Sequence, residues 1–167
     1  MEGDAAVPIG AVVEAYQGEV FGLAMYRIVA DAQTDPWRRW QWECMYRLEA
    51  ELHDELAWVL RRLGVEPVPD EREASAGRAE AERIIGLAWP EFLDEFAVDL
   101  PGLVADYTAL AEAPGFAAED RAVLRRVALH EVAALDYCDA EREGTDPERS
   151  IAGVVELLRE VPERPNR

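Results

Sequence analysis

The chain contains two histidines, His53 and His130, and each adjoins a glutamate: Glu49 lies one helical turn before His53, and Glu131 directly follows His130. Imidazole beside carboxylate can ligate a metal ion, or move a proton between an acid and a base. Which chemistry applies depends on whether water reaches these groups. On a helix, side chains advance by about 100° per residue, so spacing reports the surroundings. Leu124, Val127, Ala128, Ala134, Leu135 and Cys138 all fall within about 60° of Glu131. Trp42, Met45, Tyr46, Leu52, His53 and Leu56 surround Glu49 in the same way, and Val12, Ala15, Tyr16, Leu23 and Tyr26 surround Glu19.

Three helices are therefore each expected to carry a carboxylate at the centre of an apolar stripe. A lone ionised carboxylate in such a place costs several kcal/mol or takes up a proton, and three that meet repel one another. Protons, His, Arg, Tyr hydroxyls or metal ions must compensate. Glu19, Glu49 and Glu131 are the candidate metal ligands, with His53 and His130 as further ones. Glu131 and His130 are also the candidate catalytic acid–base pair. The plainer alternative rotates each helix by half a residue, which turns each glutamate into a boundary group paired with arginine. For His53 that alternative is a surface residue in the charged run ELHDEL; for His130 it is a boundary residue bonded to a Tyr or to backbone.

The elements that must position these groups are helical. Val/Ile/Thr runs of period two are missing, whereas Ala, Leu, Glu and Arg abound, as helices prefer. A first helix is predicted from about Pro8 to Ala30. The second starts with Asp35 as N-cap and Pro36 at the first helical position, and Gly64 stops it. The third begins at WPEF with Pro90 and runs to Gly115, with Leu100 and Tyr107 at its stripe centre, Asp99 at the edge and a kink at Pro101. The fourth spans about 118–143. A short helix capped by Asp146 and Pro147 follows, and 163–167 should fray beyond a single domain of residues 1–162. Helices one and two, and three and four, are joined by a few residues and should form antiparallel hairpins. Roughly 25 residues connect the hairpins, and 70–87 among them is helix-compatible. A plain up-and-down bundle with a surface helix is the alternative topology.

Composition narrows the function classes. The 167 residues are 50% hydrophobic and carry a net charge of −18, which fits one domain and repels phosphate backbones and anionic lipids. Neither nucleic acid nor a membrane is an expected partner. The opening MEGDAAVPIG lacks a basic n-region and a long apolar run, so no signal peptide is expected. Cys44 and Cys138 lack CxxC spacing and lie on apolar faces, which suggests buried thiols in the reducing cytoplasm. No GxSxG, GxGxxG or P-loop occurs. Trp37 and Trp40 share a face at the start of the second helix, where they should close a bundle end or pair two copies into a homodimer.

Glu19 in GEVFGLAMYR, Glu49 in RLEAELH, and HEVAALDYCDAE on four such helices resemble the ferritin-like superfamily. The resemblance implies an all-α four-helix bundle of two antiparallel hairpins joined by a long crossover containing a short helix, with a short C-terminal helix added. Members with a di-iron site place one Glu on each of two helices and Glu-x-x-His on the other two. Here Leu52 and Ala134 stand where those histidines belong, and the third helix has no central Glu. Only Glu19, Glu49 and Glu131 carry over by motif; His53 and His130 enter by proximity. The expected function is an iron or manganese site with oxidoreductase-type activity on a small molecule. A metal-free pocket binding a small ligand or running acid–base chemistry is the alternative, and a non-enzymatic helical scaffold the second.

Overall fold

The computed structural model describes residues 6–165, and all of its regular structure is helical. In chain order the helices are α1 (Ile9–Ala32), α2 (Pro36–Arg62), α3 (Glu71–Ile84), α4 (Trp89–Ala97), α5 (Leu100–Glu112), α6 (Ala118–Arg142), α7 (Pro147–Ser150) and α8 (Ala152–Leu157). Local chemistry sets the ends. Asp35 caps α2 by accepting from the Arg38 N–H at 2.8 Å, and Asp70 caps α3 by accepting from the Arg72 N–H at 2.8 Å. Gly64, at φ 79°, lets the chain turn away after α2.

The third predicted helix is two helices. It does not kink at Pro101; it breaks at Val98 and Asp99, outside both α4 and α5. Pro101 lies in the first turn of α5, where its missing N–H costs no helical bond. The short C-terminal helix is likewise divided, at Ile151.

Packing follows the short connections. α1 lies against α2, α5 against α6, and α3, from the long connection, runs along α1; α2 and α6 touch each other, and α7 and α8 cover both. α1 and α5 meet over only a small area. At the centre Trp42 is fully buried and meets Tyr26, Phe92, Phe96 and Tyr137 edge-on, with centroids 5.0 to 6.1 Å away. Trp40 is buried under the chain's own C-terminal segment. Its indole N–H donates to the Pro162 carbonyl at 3.0 Å, and Arg164 stacks over its ring. That covers half of the tryptophan face expected to pair two copies. Of the expected fraying tail, residues 166 and 167 lie outside the described residues. Cys44 and Cys138 are free and buried, and burial pushes both thiols up to about 12. Among the described residues no helix is long and apolar enough to cross a membrane.

α3 can lie along α1 because residue 77 has no side chain. A Cβ on Gly77 would collide with the Phe21 carbonyl oxygen and stand 3.3 Å from the Ala24 Cβ. Gly77→Ala should lower the melting temperature, by about 1–3 kcal/mol of overpacking, although helix propensity alone favours Ala. Gly10, where an added Cβ would meet nothing within 4 Å, is the control. Gly10→Ala should leave the melting temperature equal or higher, and thermal unfolding of the two variants reads the contrast.

Candidate functional site

Four ionisable side chains converge inside the molecule. Glu19 comes from α1, Glu49 from α2, and His130 and Glu131 from α6; they are 2%, 3%, 0% and 6% exposed. One ligand atom from each of Glu19, Glu49 and His130 lies within 4.8 Å of the others, a spacing at which the three could hold one metal ion. His130 Nε2 is 3.2 Å from Glu49 Oε1, and His130 Nδ1 is 3.9 Å from Glu131 Oε1. The first approach lacks the direction of a hydrogen bond and the second is too long for one, so both ring nitrogens are without a hydrogen bond, as is Glu19 Oε2. Buried polar atoms are nearly always paired, so three unpaired atoms in one spot mark it out.

Two glycines of α1 make room for the convergence. A Cβ on Gly22 would stand 2.7 Å from the Glu49 carboxyl carbon and nearer still to Oε2. A Cβ on Gly18 would stand 2.7 Å from the Tyr107 hydroxyl. Glu49 from α2 and Tyr107 from α5 therefore both reach the bare backbone of α1 beside Glu19. The flanking glycines in GEVFG are the sequence signal for this, and spacing of apolar residues does not reveal it.

Burial sets the electrostatics. It pushes Glu19 up to about 7, against the opposing hydrogen-bonding influence of Glu49. Glu49 is raised well above the carboxylate range, by burial and then by the charges of Glu19 and Glu131, while the Tyr26 hydroxyl acts the other way. Glu131 rises to about 8 through burial and the Glu19 charge. His130 falls to about 4 through burial and the nearby Arg126 cation. The imidazole is thus neutral at pH 7, with a lone pair free to ligate; Glu49 and Glu131 favour their protonated forms there, and Glu19 is poised between its two forms unless a cation replaces the protons.

A cavity of about 610 Å³ reaches this cluster from outside, and Glu19, Glu49, Glu131, Tyr26 and Tyr107 line it. It lies between α1, α3 and the broken α4–α5 segment, where α1 and α5 barely touch. Asp99 stands at its rim, at the helix break. His53 is not brought to the cluster. Its ring stacks on Tyr16 at 4.8 Å, its Nδ1 lies 3.2 Å from the exposed Asp54, and it lines a different cleft, with Arg27 and Arg78. Four residues beyond Glu49 is one turn further along and about 40° round, enough to carry it off the buried face.

Compared with family models, curated proteins and solved structures, the chain matches none.

The raised carboxyls make a pH prediction. Glu131 sits at about 8 in the folded chain against an ordinary 4.5. Folding therefore favours its protonated form, and the associated stability is complete below the ordinary value and lost as pH rises through about 8. In chelator-treated protein, Glu131→Gln should melt near wild type at pH 5 and about 5 °C or more higher at pH 8, from a burial penalty on the order of 3 kcal/mol. An equal difference at both pH values would contradict the burial account.

Proposed function

We propose that this chain is a ferritin-like four-helix-bundle protein that holds iron or manganese in its interior and acts as an oxidoreductase on a small molecule. The α1–α2 pair, the α5–α6 pair and the α3 connection along α1 support the bundle. A single observation carries the metal reading: ligand atoms of Glu19, Glu49 and His130 converge within 4.8 Å while Glu19 Oε2 and both His130 nitrogens have no hydrogen-bond partner. Carboxylates with imidazole suit iron or manganese better than structural zinc. When bound, the ion would offset carboxylate repulsion and supply Lewis-acid or redox chemistry.

The chain's own residues do the rest. Glu19, Glu49 and His130 would hold the ion from three helices. Glu131, beside His130, keeps a proton near neutral pH and can pass it to a molecule in the cavity. Tyr26 and Tyr107 place hydroxyls on the same wall. Relative to the ferritin-like pattern, the imidazole comes from the position before Glu131 instead of three after it. The two unpaired, buried cysteines support a cytoplasmic setting. A second reading keeps the pocket without metal, as an acid–base site; the carboxyls at about 7 and about 8 favour it, because such groups exchange protons near neutral pH.

Elemental analysis after anaerobic reconstitution of chelator-treated protein with Fe(II) or Mn(II) separates the two. Wild type and His53→Ala should each retain about one metal ion or more per chain, and Glu49→Gln and His130→Ala about a tenth as much or less, with unchanged helical circular dichroism. Retention by Glu49→Gln equal to wild type, or none by wild type, would remove the metal reading.

A further inference from the structure

We propose that the cavity beside the carboxylate–imidazole site binds an amphipathic organic cation, an ammonium group carried on an apolar chain. This names the substrate class of the proposed oxidoreductase and rests on that reading for its chemistry, though not for its binding.

The cavity has two characters. Its walls are apolar, built by Phe21 and Met25 of α1, Phe96 of α4, and Leu100 and Leu103 of α5. Its rim is acidic, with Glu73 and Glu80 on α3, Glu95 on α4, and Asp99 at the helix break. Arg83 is the one basic residue among the described lining residues, and it is already engaged: its guanidinium is 2.6 Å from Glu80 Oε1 and 2.7 Å from Glu95 Oε2. Among the described residues the side chains of Glu73 and Asp99 form neither a hydrogen bond nor an ion pair. Deeper in, Glu19 lines the same cavity, 2% exposed, with its Oε2 unpartnered.

Each other ligand class leaves part of this unmatched. An anion would meet the unpaired carboxylates of Glu73 and Asp99 at the rim, where the guanidinium of Arg83 is already engaged. A neutral apolar molecule would cover the walls and strip water from Glu73 and Asp99 without a partner for them. A bare metal ion would leave the apolar walls empty. A volume of about 610 Å³ lies in the range of small-molecule sites, and an ammonium with an apolar body matches walls and rim together. The net charge of −18 further draws cations toward the chain.

Three eight-carbon probes test this by calorimetric titration of the metal-loaded protein at low ionic strength: n-octylamine, n-octanol and octanoate. Octylamine should bind about tenfold or more tighter than octanoate, and the preference should shrink with added salt. The double variant Glu73→Gln/Asp99→Asn should bind octylamine no better than octanol, with its metal content unchanged. Leu103→Trp, which fills the wall, should weaken octylamine and octanol alike. Equal binding of the three probes, or a preference that survives in the double variant, would overturn the proposal. The same titration on chelator-treated protein separates the two readings. Retained octylamine preference in a chain that takes up no iron or manganese leaves the cavity assignment standing and removes only the metal. Full metal uptake with no octylamine preference does the reverse.

Discussion

A carboxylate taken out of water must be matched, and this fold shows two outcomes of that demand. Asp120 is 3% exposed and accepts from the Arg62 guanidinium at 2.8 Å, an ordinary structural solution. Gln41, Ser150, Glu141 and Tyr137 close a buried polar network of the same satisfied kind, with Gln41 Nε2 donating to Ser150 Oγ at 2.8 Å. Among the described residues, Glu19, Glu49 and Glu131 have no arginine partner of this kind. Arg126, the cation that acts on His130, is itself engaged by Glu51, Glu55 and the Leu157 carbonyl. The neighbourhood therefore keeps arginine away from the cluster and leaves its charge to protons or to a bound cation.

The architecture around the cluster serves that state. Rigid helices bring the side chains together, which fixes their spacing better than loops would. Gly18 and Gly22 strip α1 of bulk where Tyr107 and Glu49 approach it. The break between α4 and α5 and the thin contact of α5 with α1 open a passage to the same spot. An interior that is costly to assemble is thus also one that a small molecule can reach, the usual condition of a working site.

Much of this was legible in the chain. The stripes around Glu19, Glu49 and Glu131 point inward because apolar spacing on a long helix reports burial directly. His130 was legible by adjacency alone: α6 packs on both α5 and α2, so its buried arc is wide enough to take in the neighbouring position, and the imidazole turns toward Glu49. His53 misled because it lies on the flank of its stripe, where Tyr16 and Asp54 receive it. The helix break was not legible, because a proline inside a helical pattern reads as a kink and Val98 is helix-compatible. The acidic rim was not legible either, since Glu73 and Asp99 are far apart in sequence and meet one cavity only because α3, packed on α1 and α4, lies across from the α4–α5 break.

The central proposal is that the buried cluster of Glu19, Glu49 and His130, with Glu19 Oε2 and both imidazole nitrogens lacking hydrogen bonds, holds a metal ion. Anomalous scattering from crystals of the iron- or manganese-reconstituted protein, recorded above and below the metal absorption edge, tests it most directly. The account predicts one strong edge-dependent peak bounded by Glu19, Glu49 and His130. A map with no peak there, or with peaks only among the exposed acidic residues of α3, would contradict it.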